Sequence, residues 1–240
     1  MDKIFGIDLG TTLSEISYLK NGKPVVVTLE NGRKYLPSVV GIDPSGKIIT
    51  GFSARNQYAA FPENTVVSVK RKMGSGQTFT MGAKSYTPAE ISAEILKTLK
   101  SFAEKEAGVP VEKAVITVPA YFTDVQRKDT IKAGEIAGLE VVRIINEPTA
   151  AALAYGCRED GLEKILVYDL GGGTFDVSLI IVEEGVIEVL ASDGNSQLGG
   201  DDFDHRLEEY FISNLPKNAV SPKDLRLKAR LENIAETVKI

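Results

Sequence analysis

One unit of structure is written twice in this chain. Near the start stands KIFGIDLGTTLSEISYLKNG, followed by KPVVVTLENG; from Lys164 stands KILVYDLGGGTFDVSLIIVEEG, followed by VIEVLASDG. Each copy reads strand, Asp-Leu-Gly turn, threonine, strand, glycine, strand. A repeated supersecondary unit limits the possible folds more than any local propensity does. Two such triplets predict two sheets built alike. Asp8 and Asp169 hold equivalent places, and Thr11 and Thr12 correspond loosely to Thr174. Glycine inside a sheet weakens it, because it adds chain entropy and brings nothing to pack. Three in succession, Gly171 to Gly173, indicate that another group comes close to the backbone there.

The chain between the copies alternates in type. Asn21-Gly22 marks a tight hairpin, and residues 37–87 read as short strands with scattered Gly and Pro. TPAEISAEILKTLKSFAEKEAG predicts a helix with Thr87 as cap, Pro88 at the first turn and Glu90 completing a capping box. Its apolar face is Ile91, Ile95, Leu96, Leu99 and Phe102. Then come a strand (KAVITVP), a helix ending at Gly138, a strand (EVVRIINE) and a helix (PTAAALAYG). Strand–helix alternation with apolar strands predicts parallel pairing under helices. After QLGGDDFD the chain turns helical through HRLEEYFISNL, breaks between Pro216 and Pro222, and resumes as a helix. That last helix reaches Ile240 without a capping residue, and the second copy has no continuation like residues 112–156, so the expectation is a fragment of a larger folded unit.

Composition excludes some functions. At 240 residues and 43% hydrophobic, the chain can bury a core, and its net charge of -5 with no basic stripe argues against nucleic acid. Cys157 is the single cysteine, so no internal disulfide is possible, and no signal or membrane-spanning segment stands at the N-terminus. The expected setting is cytoplasmic, with no membrane partner. Neither Cys157 nor His205 has neighbours at metal-ligand spacing.

Paired glycine turns expose backbone N–H groups, which suit anionic oxygens, and threonine hydroxyls add donors. Aspartates beside phosphates repel them unless a hard cation such as Mg²⁺ stands between, often through water. The pattern therefore calls for a metal–polyphosphate complex held by two turns. It is neither G-x-G-x-x-G nor G-x-x-x-x-G-K-[ST], which disfavours a dinucleotide fold and a P-loop.

Five motifs then appear in order: GIDLGTT (6–12), VITVPAYFTDVQRKDT (115–130), RIINEPTAAALAYG (143–156), DLGGGTFDVSLI (169–180) and LGGDDFD (198–204). Together they resemble the ATPase domain of the seventy-kilodalton heat-shock chaperones, the DnaK type, over residues 3–240. The resemblance implies an α/β actin-like ATPase fold of two lobes, each on a ribonuclease-H-like sheet, with the second lobe incomplete. It implies a first lobe over 1–157, with its core in 1–36 and 112–157 and an outer subdomain over 37–111. The second lobe begins with a core over 162–200 and an outer subdomain from 201. The implied function is ATP binding and hydrolysis between the lobes, controlling a peptide-binding domain absent from these residues.

The resemblance also implies roles. Asp8, Asp169, Glu147 and Asp176 would surround Mg²⁺, mostly through water; Gly10, Thr11, Thr12 and Leu13 would form the first phosphate loop. Gly171, Gly172, Gly173 and Thr174 would form the second, with Lys70 beside the terminal phosphate. Lys70, Glu147, Asp169 and Thr174 are the catalytic candidates. Gly199 and Gly200 would touch the sugar and phosphate side, Glu236 and Lys239 the adenosine, and Pro119 and Arg127 would couple nucleotide state to the rest of a chaperone. The ligands are ATP or ADP with Mg²⁺, K⁺ being left open as a further ion. The partners are a J-domain co-chaperone, a nucleotide-exchange factor and, through the missing domain, client peptides.

Three departures stand out. Leu13 replaces the Asn or Tyr usual after the two threonines, the segment after Gly74 is short, as in trimmed DnaK-like paralogues, and the rest of the second lobe is missing. The last predicts weak or no hydrolysis by residues 1–240 alone. An actin-like filament former, a sugar kinase and a nucleotide sensor are the competing readings.

Overall fold

A computed structural model of the chain describes residues 3–155, 162–183, 186–216 and 224–239. Cys157 and most of the Pro216–Pro222 break lie outside them. The first hairpin joins β1 (Ile4–Leu9) to β2 (Leu13–Lys20), and β3 (Lys23–Val26) follows. Asn21 and Gly22 both take positive φ (53° and 75°), as a two-residue hairpin with the right strand twist requires. Short pieces come next: β4 (Leu36–Pro37), β5 (Val40–Ile42), β6 (Ile48–Thr50), α1 (Gly51–Tyr58), β7 (Thr65–Val66), β8 (Phe79–Met81) and β9 (Lys84–Tyr86).

The alternating segment runs α2 (Pro88–Ala107), β10 (Lys113–Val118), α3 (Asp124–Ile136), β11 (Glu140–Asn146) and α4 (Glu147–Tyr155). Glu147, read from sequence as the end of a strand, instead opens α4. The capping box of α2 is present, with the Thr87 hydroxyl accepting from the Glu90 amide and the Glu90 carboxylate accepting from the Thr87 amide. α3 has a second box, Thr123 with Gln126. The first sheet has the order β11-β10-β1-β2-β3, with β4 also on β2. β1, β10 and β11 are parallel neighbours, as the strand–helix alternation predicts. Ile91, Ile95, Leu96 and Leu99 of α2 are fully buried in one cluster with Phe5, Ile7, Ile16 and Ile116. Each such side chain contributes about 1.5–3 kcal/mol from leaving water; Phe102 is only partly buried.

The second sheet is a meander of β12 (Leu162–Leu170), β13 (Phe175–Glu183) and β14 (Val186–Asn195). Its hairpin repeats the first in register. Asp8 faces Glu15 and Leu9 faces Ser14; Asp169 faces Asp176 and Leu170 faces Phe175. The turns are therefore residues 10–13 and 171–174, of equal length. This corrects the loose threonine correspondence: Thr174 matches Leu13, whereas Thr11 and Thr12 match Gly172 and Gly173.

The two sheets are covered differently. α4 buries Ala152 against Ile180 and Val182 on one face of the second sheet. On the other face Leu166 and Tyr168 are 66% and 65% exposed, while their counterparts Phe5 and Ile7 are buried beneath helices. The chain ends in α5 (Gly200–Asn214) and α6 (Leu225–Lys239), packed on each other. α5 starts well before His205: the Asp202 carboxylate accepts from the Gly199 amide at 2.8 Å and fixes its first turn at Gly200. Among the described residues no helix is long and apolar enough to cross a membrane.

Candidate functional site

The two glycine turns meet. A Cβ placed on Gly172 would lie 1.8 Å from Thr12 Oγ1, and one on Gly173 would lie 2.6 Å from Thr11 Cγ2. Only glycine permits this approach. Gly199 packs behind them, its would-be Cβ 2.5 Å from the Gly172 carbonyl carbon. The first amides of α5 brace the second turn, Gly200 N–H donating to Gly171 O at 3.0 Å and Asp201 N–H to Gly172 O at 2.7 Å.

A cavity of about 520 Å³ opens on one side of this contact. Asp8, Gly10, Leu13, Lys70, Glu147, Asp169, Gly171 and Thr174 line it. A smaller cavity of about 240 Å³ lies on the other side, lined by Arg55, Tyr58, Ser68, Asp201, Glu236 and Lys239 among others. Thr11, Thr12 and Gly172 line both. The predicted residues thus divide into two groups. Gly173, Asp176, Gly199 and Gly200 line neither cavity: Gly173 lies within the second turn against Thr11, Asp176 follows that turn on β13, and Gly199 and Gly200 pack behind it.

The larger cavity is electrostatically strained. Lys70 is buried, and its Nζ donates to Glu147 Oε1 at 2.6 Å while lying 5.7 Å from the Phe122 ring centre. Burial pushes the Glu147 carboxyl up, opposed by Lys70. Burial also raises Asp169, with Lys70 lowering it and Asp8 raising it further. Asp176 is raised by burial and then by Asp169, its partner across the hairpin. Asp8 accepts from the Thr117 hydroxyl at 2.9 Å. Gathered carboxylates with raised values want a cation. Among the described residues Asp176 Oδ1 and Thr12 Oγ1 are buried without a partner, which marks unused polar capacity at the site. Among the described residues no three His, Cys, Asp or Glu converge closely enough to chelate a metal directly. The gathered carboxylates fit a hard cation such as Mg²⁺.

Pro119 and Arg127 lie outside both cavities. Arg127 grips the turn that follows Pro119, donating to Ala120 O at 3.1 Å and Phe122 O at 3.0 Å, and it reaches Asn146 Oδ1 at 2.8 Å. It is therefore one residue from Glu147, and the turn it holds carries Phe122 beneath Lys70. In the smaller cavity Glu236 and Lys239 do not pair with each other. Glu236 bonds Arg55, and Lys239 bonds Asp204 Oδ2 at 2.7 Å. Reading the sequence missed Arg55, Tyr58, Ser68, Arg71, Asp201 and Asp204. None stands in a glycine turn, although Arg71 adjoins Lys70 and Asp201 and Asp204 fall inside LGGDDFD.

A family profile described as Hsp70 protein matches residues 4–79 and 75–240, nearly the whole described chain. The chain belongs to the Hsp70 family. Its fold is accordingly the actin-like ATPase fold, with lobes built on related sheets. Hsp70 proteins are chaperone ATPases that bind ATP or ADP with Mg²⁺, so the facing turns belong to a nucleotide-binding domain of the Hsp70 type.

Proposed function

We propose that this chain binds Mg–ATP across the two cavities as the ATPase part of a chaperone, with hydrolysis by residues 1–240 alone weak. One observation carries the reading: a single cavity gathers both glycine turns, Asp8, Asp169, Lys70 and Glu147 from four separate stretches of chain. The phosphates take the larger cavity and the adenosine the smaller, beside Glu236 and Lys239. The first lobe spans 1–157, with an outer part over 37–111, and the second begins at 162. Asp8, Asp169 and Glu147 would hold the hydrated Mg²⁺ from the cavity wall, with Asp176 adding negative charge from behind Asp169. Bound there, the ion neutralises charge on the phosphate oxygens.

The protein's own share is placement. Thr11, Thr12, Leu13 and residues 171–174 hold the phosphate chain, with Thr12 Oγ1 free to donate to it. The Lys70 ammonium has three donors, and one is on Glu147. The other two serve the terminal phosphate and the attacking water, so charge developing in the transition state meets a cation already fixed in place. Glu147 keeps that cation oriented. The Pro119 turn and Arg127 relay the state of the site outward. Partners on this reading are a J-domain co-chaperone, a nucleotide-exchange factor and client peptides bound by a domain that these 240 residues do not include.

Calorimetric titration of ATP with and without Mg²⁺ tests the assignment. Binding that tightens at least about tenfold with Mg²⁺ is expected, because an uncompensated acid cluster repels free triphosphate. Binding that is equal in both, or absent in both, overturns it.

A further inference from the structure

Three non-glycine residues among those described take positive φ: Asn21, Asn31 and Ser68. Asparagine tolerates this region, and both asparagines precede a glycine in a turn. Ser68, at φ 51° and ψ 33°, has neither excuse and stands two residues before Lys70. Such strain persists only where the surroundings over-determine it. Here they do. Ser68 Oγ donates to Asp201 Oδ2 at 2.6 Å, across the lobes. Asp201 in turn holds the second glycine turn through its amide on Gly172 O at 2.7 Å. On the other side Ser68 O accepts from Arg71 N–H at 3.1 Å, which starts the short helical turn Val69–Lys72 that carries Lys70. Arg71 crosses to the second lobe as well, donating to Asp202 at 3.1 Å and to Gln197 O at 2.7 Å. The far end of the turn is fixed to the first lobe, Gly74 N–H donating to Asp129 Oδ2 at 2.8 Å.

We propose that Ser68 is a positioning residue that ties the Lys70 turn, through Asp201, to the second phosphate turn. Lys70 then keeps its place on Glu147 only while the lobes are closed. When the second lobe withdraws, the bond that offsets the left-handed backbone goes with it. Residue 68 relaxes, and the turn carries Lys70 away from Glu147. The consequence for hydrolysis rests on the nucleotide reading above; the mechanical link does not.

Amide hydrogen exchange on the 240-residue chain without nucleotide reads the link directly. Ser68→Ala removes the hydroxyl and keeps the strain, and it is expected to speed exchange at Arg71 and Met73 about tenfold, the scale set by one charge-assisted hydrogen bond. Asp201→Ala does the same, and the double variant does no more than either. Asp201→Asn keeps an acceptor and restores most of the protection. Single-turnover hydrolysis of Mg–ATP by Ser68→Ala, measured at saturating nucleotide, falls about tenfold. Unchanged exchange in Ser68→Ala, or Asp201→Asn exchanging as fast as Asp201→Ala, overturns the proposal. If Ser68→Ala does not fold, the two Asp201 variants make the comparison alone. An unaltered chain that binds no ATP sinks the nucleotide reading and leaves the exchange comparison standing.

Discussion

Gly10 and Gly171 occupy matching places in the two hairpins, yet a Cβ would fare differently at each. At Gly10 it would lie 2.0 Å from Leu13 O, whereas at Gly171 the nearest atom is Thr174 O at 3.5 Å. Gly10→Ala is therefore expected to cost about 2–3 kcal/mol in urea denaturation, through forced backbone movement, and Gly171→Ala less than about 1 kcal/mol. Lys70→Ala leaves a buried carboxylate without its cation, a loss of about 3 kcal/mol at neutral pH. It is also expected to lower single-turnover hydrolysis at least about a hundredfold, with ATP affinity little changed. Survival of turnover would remove Lys70 from its assigned role. Nothing local in SVKRKMG distinguishes Lys70 from its neighbours; its burial and its carboxylate partner come from a residue far along the chain. The aspartates were legible because the repeat marks them twice. The threonines were matched loosely because strand register, which sets the true correspondence, is not visible in letters alone.

Element by element, legibility follows the range of the forces involved. α2 could be read from end to end, since its capping box and apolar stripe are local. Thr87→Ala is expected to cost about 1 kcal/mol, measured by denaturation. The start of α5 was hidden, because two glycines and two aspartates read as a turn until Asp202 folds back on Gly199. The bonds that join α6 to the opposite lobe were also hidden: Arg55 to Glu236, and Tyr58 to Glu232, pair residues more than 170 positions apart. Burial pushes the Glu232 carboxyl up, the Tyr58 hydroxyl opposing. A carboxyl raised on folding stabilises below its ordinary value and loses that contribution as pH rises through the folded value. Glu232→Gln should thus match the unaltered chain near pH 4 and become progressively the more stable as pH climbs above that range. Thermal melts at a series of pH values would show it, and a constant difference would mean that Glu232 ionises as an ordinary surface acid.

At the scale of the molecule, the two sheets provide an internal control. Phe5 lies beneath helices, and its counterpart Leu166 faces solvent. Phe5→Ala is expected to cost about 3–5 kcal/mol, while Leu166→Ser changes stability by less than about 0.5 kcal/mol and reduces light scattering, because it thins an exposed apolar face. The repeat predicted two sheets built alike and was right about strand order. It said nothing about cover, which depends on helices that lie outside the repeated unit. The meeting of the turns has a consequence of its own. Because Thr11, Thr12 and Gly172 border both hollows, they act as a partition between two chambers. A guest filling one chamber leaves the partition shut; a guest long enough for both must push it ajar, and some of its affinity is spent on that opening. Adenosine and pyrophosphate supplied as separate molecules could share the protein without rivalry, and joining them covalently would gain less than their summed affinities by the work of parting those three residues.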